Sequence, residues 1–336
     1  EGMASRDNDP YFSWPLDGGE RGREVWYSLV SHPDKPVGFW YRYTLLSTDS
    51  GHQEARVWAA LTDRRNGASG RGTEGVLTRS FPLDSAVVEG DPFRLSVGEN
   101  ELTSYSAEGS VENVGWDLSY EPDEMTFVPL EDDSMGGETG DHWSANQSVE
   151  MTGTVEVGDE TYEFEDAPGH QGHTVGSAAP PSWTWTHANS FGGETVVEAL
   201  EFAEMVTMCF RHGDENGARM YALNTMDQIL EGNESVENEP GRWVFEGTDD
   251  DVEVRVEVGV DETAEGAWKK AAYLTPDDTV RYVAHASVAD VSVVYETGED
   301  AGSVETDTGR IEWAGQEPPV GDFDEYTPEE FARKKR

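Results

Sequence analysis

From Val252 to Val260 a valine stands at every second position, with Glu253, Arg255, Glu257 and Gly259 between them. Apolar residues recurring with period two cannot share one side of a helix, so this segment must be extended, with one dry face and one wet face. A lone strand has nothing to bury its dry face against, which forces the chain to supply neighbours. It does so repeatedly. Comparable alternation marks VWYSLV (25–30), FWYRYTLL (39–46), ARVWAAL (55–61), GWDLSY (115–120), SVEMTGTVEV (148–157), SWTWTHANSF (182–191), RWVFEG (242–247) and YVAHASVADVSVVY (282–295). Turn-forming residues separate them: RNG at 65–67, VGDE at 157–160, FGGE at 191–194 and HGDENG at 212–217. Many short strands at hairpin spacing predict an all-β fold of antiparallel sandwiches or barrels.

Helix signals are few. In the tail TPEEFARKKR, Thr327 can cap, Pro328 suits the first helical position and Glu330 can close a capping box, which predicts a short C-terminal helix. The Gly-rich, acidic stretch 129–144 reads as a loop. A break in FEDAPGHQGH, near 165–170, divides the strands into two runs. The expected organisation is an N-terminal barrel over residues 1–166, a C-terminal barrel over 167–320 and a helical tail over 321–336. The halves share no direct sequence repeat.

Charge decides what the surface can meet. The 23 Lys and Arg against 69 Asp and Glu give a net charge of −46. Only five of the basic residues are lysines: Lys35, Lys269, Lys270, Lys334 and Lys335. Such a surface repels itself in dilute buffer, whereas in molar salt the Debye length shrinks to about 3 Å and the repulsion is screened. The composition therefore predicts a protein of a salty cytoplasm. It also argues against nucleic acid and anionic membranes as partners, since both require a basic patch. Only 36% of residues are apolar, yet 11 Trp, 12 Tyr and 12 Phe spread along the chain argue against disorder. The sole cysteine, Cys209, excludes a disulfide framework and sits in VTMCF as a small strand residue. No apolar run reaches the ~20 residues that span a bilayer. EGMASRDNDP at the start lacks a basic-then-apolar signal pattern.

The densest chemistry lies in GHQGHTVGSAAPPSWTWTHANSF, residues 169–191. By parity Trp183, Trp185, His187 and Asn189 share one face of a strand. Two indoles facing water would be wasteful. An imidazole and an amide in a closed core need partners, because an unpaired buried polar group costs ~1–3 kcal/mol. A ligand cavity resolves the conflict, with the indoles as walls and the polar groups orienting the guest. Satisfaction of His187 and Asn189 by neighbouring backbone is the competing reading. His170 and His173 flank Gln171 in what reads as a loop. A histidine at a cavity mouth can move protons near neutral pH, since its ordinary pKa is about 6.5. Asp166 or His187 could add a third metal ligand, but no zinc spacing is matched, so neither metal nor cofactor is expected. In GWDLSYEP, Trp116, Leu118 and Tyr120 share a face. Nucleophile elbow, phosphate loop, dinucleotide fingerprint and HExxH are all missing, which argues against hydrolases, kinases and nicotinamide enzymes.

The order EVWYSLV, GFWYRYTLL, GWDLSYEP, NQSVEMTGTVEVGDETYEFEDAPGHQGHTVGS and SWTWTHANSF, across most of residues 20–295, resembles the carotenoid hydratase (hydroxyneurosporene synthase)-like family, with relatives among tocopherol cyclases. Members typically carry an Asp-His-x-Trp-Gly-like signature where this chain has Gly172-His173-Thr174-Val175-Gly176. His173 and Gly176 match, while Gly172 and Val175 depart. The resemblance implies two tandem lipocalin-like antiparallel β-barrels holding a lipophilic, isoprenoid-like small molecule. On that reading His173 and His187 are the catalytic candidates, and Trp183, Trp185, Asn189, Trp116, Tyr120 and Gln171 bind the ligand. The reaction would be hydration, cyclisation or isomerisation by proton transfer. A non-catalytic lipid carrier, or a two-barrel scaffold without ligand, are the alternatives.

Overall fold

The alternating segments become strands, and their dry faces close on each other. The computed structural model describes residues 8–65, 72–123, 125–130, 141–214, 217–261, 266–298, 300–321 and 323. The first sheet contains β1 (Gly22–Ser31), β2 (Val37–Ser47), β3 (Gln53–Asp63), β4 (Leu77–Phe81), β5 (Ala86–Glu89), β6 (Arg94–Val97), β7 (Asn100–Thr103), β8 (Ser106–Val111), β9 (Val114–Tyr120), β10 (Asp141–Val157) and β11 (Glu160–Gly176). The second contains β12 (Ser182–Ala188), β13 (Val196–Phe202), β14 (Met205–Asp214), β15 (Gly217–Leu223), β16 (Asn233–Glu239), β17 (Arg242–Asp249), β18 (Val252–Gly259), β19 (Lys269–Leu274), β20 (Val280–Thr297) and β21 (Ala301–Gly315).

Both sheets are antiparallel and follow one plan. Sequential strands pair, except that β18 and β19 both pair β20 and not each other, and the last strand returns to the first, β11 to β1 and β21 to β12. Both sheets are interrupted after the fourth strand, between β4 and β5 and between β15 and β16. The Asn233 amide crosses the second interruption to the Val206 and Leu223 carbonyls. Duplication is thus visible in topology though not in sequence. The longest strands, β10, β11, β20 and β21, carry register shifts. Bulges sharpen twist and let a single strand bend round a barrel.

The interior of the first barrel is built from Trp26, Val30, Phe39, Tyr41, Tyr43, Leu45, Val57, Leu61, Leu95, Leu118, Met151 and Phe164 among others. Val254, Val256, Val258, Phe210, Trp243, Phe245, Val293 and Ile311 build the second. A third apolar group forms the seam where the outer faces of the two barrels meet: Leu29, Trp40 and Trp58 from the first, Trp185, Tyr273, Val283 and Ala314 from the second. No helix among the described residues is long and apolar enough to cross a membrane.

Three expectations need adjustment. The division at 166/167 falls inside β11, which stays paired with β1 as far as Gly176. What reads as a break is a bulge: Asp166 takes a positive φ of 47° and its N–H donates to Thr152 Oγ1. The stretch 129–144 is not all loop, since Asp141 already begins β10. The helix expected over 321–336 falls on a tail that, but for 321 and 323, lies outside the described residues.

Candidate functional site

Alternation along β11 sends its polar residues in opposite directions. His173 and Gln171 point into the first barrel, whereas His170 points out at the second. Inside, His173 Nε2 donates to Glu24 Oε1 at 2.9 Å, and neither side chain touches solvent. The imidazole lies between two indoles, Trp26 at 4.8 Å and Trp143 at 4.3 Å between ring centres. Glu24 is heavily solvated by protein: its two oxygens also accept from the Tyr11 and Phe12 amides and from Trp14 Nε1. Next along the strand, Gln171 Oε1 accepts from the Asn146 and Asn8 amides at 2.6 and 3.0 Å, and its Nε2 reaches Tyr41 Oη at 3.4 Å. Trp116 stacks on Tyr41 with planes 7° apart. Burial pushes the Tyr41 hydroxyl up to about 12 against the pull of its Ser28 and Gln171 hydrogen bonds, and drives Tyr120 well above its ordinary value. Residues 8–14 belong to no strand and lie over this cluster, with the Asn8 carbonyl accepting from Trp26 Nε1.

A second polar cluster occupies the seam. His187 Nε2 meets the Gln147 carbonyl at 2.8 Å and its Nδ1 meets Arg310 Nη1 at 2.9 Å. A carbonyl can only accept and a guanidinium can only donate, so His187 is a neutral imidazole with its proton on Nε2. Arg310 also binds Asn189 Oδ1, Ser31 Oγ and the Pro168 carbonyl. The Asn189 amide donates to the Gly169 carbonyl and to Ser148 Oγ. His170 Nε2 lies 2.9 Å from Ser144 Oγ, which gives its own proton to Glu198 Oε1 at 2.5 Å. Trp185 Nε1 donates to that same oxygen. Burial, then the Arg310 charge, push His170 well below the usual histidine range; burial, then His170 and Arg310, do the same to His187. Burial and the nearby Glu198 raise the Cys209 thiol well above its usual value.

This seam looks superficially catalytic. Ser144, His170 and Glu198 are the residue types of a hydrolase triad, but the acid takes the hydroxyl proton instead of orienting the far ring nitrogen, so the serine is not activated. The ligating atoms of His170, His187 and Glu198 fall within 4.8 Å of one another. Both nitrogens of His187 are nevertheless spent, and the buried Arg310 cation stands against it, so the arrangement does not fit a metal ion.

The residues singled out from the sequence therefore fall into two places. His173, Gln171, Trp116 and Tyr120 gather in or around the first interior. Trp183, Trp185, His187 and Asn189 share a face as expected, but that face meets the first barrel across the seam and does not look into a barrel hollow. Main-chain carbonyls occupy His187 and Asn189, the competing reading weighed above. Trp183 Nε1 donates to Glu312. His170 and His173 are strand residues, not loop residues, because the glycines of GHQGHTVG make room for neighbours. A Cβ on Gly172 would sit 2.2 Å from the Tyr27 ring, so an acid there would require Tyr27 to move. The acid is supplied from β1 instead. Glu24 was missed because nothing within EVWYSLV distinguishes an inward carboxylate from a wet-face one. Asn8, Glu198 and Arg310 left no local trace either.

No protein-family profile matches the chain, and no curated protein matches it in sequence. Solved structures do. A protein assigned as AttH (NE1406) from Nitrosomonas europaea superposes with a TM-score of 0.51 at 13% identity, covering 94% of this chain and 100% of its own. Kievitone hydratase from Nectria haematococca gives 0.50 at 13% identity, covering 93% and 97%. CghA gives 0.52 at 9% identity, covering 90% of each. At these identities the likeness is one of fold: the tandem-barrel architecture extends over nearly the whole chain.

Proposed function

We propose that the first barrel binds a lipophilic, isoprenoid-like small molecule and that the His173–Glu24 pair transfers a proton to or from it, as in hydration, cyclisation or isomerisation. The observation that carries this reading is the pair itself: an imidazole and a carboxylate at 2.9 Å, fully buried on the inner face of a barrel and walled by indoles. A buried carboxylate is costly to keep for structure alone, because desolvation offsets most of what its partners return. As acid–base machinery it is apt. The carboxylate fixes the ring and stabilises the imidazolium that donates a proton, and indole faces favour cationic character nearby. Gln171, Tyr41 and Tyr120 would orient the polar end of the guest, and Trp116 and Trp26 would line its path. Residues 8–14, outside any strand and tied to Glu24, Gln171 and Trp26 by hydrogen bonds, would give way on entry. Kievitone hydratase, by its name a hydratase, shares the fold.

The test uses protein purified in molar salt and incubated in D2O with a panel of acyclic and hydroxylated isoprenoids. Deuterium on a former alkene carbon is the expected product, reduced about 10²-fold or more by His173→Gln. A bound molecule recovered chemically unchanged from both proteins supports the carrier reading; no retention and no exchange for any compound sinks both.

A further inference from the structure

At one end of the seam the fold does something an acidic chain has little reason to do: it buries guanidinium groups and leaves them without carboxylates. Arg23 on β1 is 6% exposed, Arg42 on β2 is 9% exposed, and Arg281 on β20 is 2% exposed. Arg281 is accounted for, since it donates to the carbonyls of Pro180, Ala179 and Val280 and to Thr279 Oγ1. The other two are not. Arg42 donates from its Nε to Thr44 Oγ1, and its guanidinium carbon lies 3.7 Å from the centre of the Tyr273 ring. Arg23 makes no hydrogen bond and no ion pair among the described residues, and its Nε is a buried donor without an acceptor.

The acids nearby act on them only from a distance. Glu312 is held by Trp183 Nε1 at 2.8 Å and approached by His285, and Asp277 is tied to Thr275 and Thr279. No carboxylate among the described residues comes within 4.0 Å of Arg23 or Arg42. The mutual proximity of the cations shows in their electrostatics: burial first, then Arg42 and Arg281, push Arg23 down to about 9, although Asp277 and Glu312 pull the other way. Trp183 and Glu312 lie partly exposed at the rim of this end of the seam.

We infer that Arg23 and Arg42 form a binding site for an oxyanion, the carboxylate or phosphate group of a small molecule, clamped between the two barrels at the Trp183–Tyr273 end of the seam. Guanidinium forks match the planar and tetrahedral oxygens of these groups, and a dry setting strengthens such charge-assisted hydrogen bonds. Arg42 is held by Tyr273 and Thr44, and Arg23 adds a buried Nε that has no acceptor. The site shares β1 and β2 with the first-barrel cluster but uses the opposite faces, Arg23 beside the inward Glu24 and Arg42 beside the inward Tyr41, so different side chains carry the two sites and either can fail alone.

Thermal unfolding at constant molar KCl, titrated separately with inorganic phosphate, pyrophosphate and octanoate, tests the site. A saturable rise in Tm with at least one probe is expected, weakened about tenfold or more by Arg23→Gln and by Arg42→Gln. Arg79→Gln, which alters an exposed ion pair with Glu99, should bind as the parent does. Preference for octanoate assigns a carboxylate guest, and preference for the phosphates a phosphorylated one. Arg23→Met supplies a second readout. Without probe it should melt no lower than the parent, because it removes an unpaired buried charge, yet it should lose the probe-dependent rise. Three flat titrations, or equal rises in parent, Arg23→Gln and Arg42→Gln, would overturn the site.

Discussion

The two barrels are wound on one strand plan and filled with opposite materials. Into the second point Val254, Val256 and Val258 from β18 and Phe210, Phe245 and Ile311 from its neighbours. The first encloses Glu24, His173, Gln171 and Asn146 among its aromatics. The backbone therefore settles where a side chain points, while the choice of residue settles whether the interior is wholly apolar or carries a polar cluster. Fully buried polar side chains gather in the first barrel and the seam, where His173, Gln171, His187 and Arg310 find hydrogen-bond partners while the Nε of Arg23 does not. The second barrel keeps its polar contacts at the rim, as with His212, Tyr295 and Asp300.

That contrast can be strained from several sides. Acid should act first on the seam and most strongly. His170 and His187 are held well below the usual histidine range by burial, His285 is held down to about 3 and His142 to about 4 for the same leading reason. Each is neutral when folded and takes up a proton on unfolding below about 6.5, so its contribution is complete above that pH and drains away as pH falls towards the folded value. The slope is about 1.4 kcal/mol per pH unit for each group. Denaturation at fixed molar salt between pH 7 and pH 4 should show a loss of several kcal/mol, with amide protection in β17 and β18 outlasting that in β12. A pH-independent midpoint would contradict the neutral seam.

Next in size, Val256→Asp places a carboxylate with no partner at a position with 0% exposure. A cost of about 3–5 kcal/mol is expected, read as a lowered denaturation midpoint. Tolerance would erase the distinction between the interiors. Glu24→Gln is milder, about 1–3 kcal/mol, because the amide keeps one acceptor while losing another. It should also release residues 8–14 to limited proteolysis, since Glu24 receives the Tyr11 and Phe12 amides and Trp14 Nε1. Trp185→Phe removes the Nε1 bond to Glu198 and should cost about 1 kcal/mol. Val294→Thr, on an outward position 56% exposed, should stay within about 0.5 kcal/mol and marks the floor of the series.

How far this was readable from the chain follows from the range of each signal. Strands were plain because period two is local: Val252 to Val260 announces its own geometry. Parity correctly grouped Trp183, Trp185, His187 and Asn189, but two sides of a ribbon look alike in sequence, and only the packed fold says which one meets the other barrel. The bulge at Asp166 imitated a linker because a turn-like residue, a proline and a glycine in succession are the same letters in both. Least readable was the partnership of Glu24 with His173, 149 residues apart, which depends on β11 returning to pair with β1. Net charge spoke to the surface and concealed the uncompensated arginines at positions 23 and 42.

Arg310 is the rivet of the molecule. Rooted in the last strand, it grips the Pro168 carbonyl and Ser31 on the opposite half while pinning His187 and Asn189 on its own. A joint fastened this way should not swing like a clamshell. On the function proposed above, traffic into the first half would pass by residues 8–14 and not through the joint, so substitutions in that segment are the route to changing what gets in.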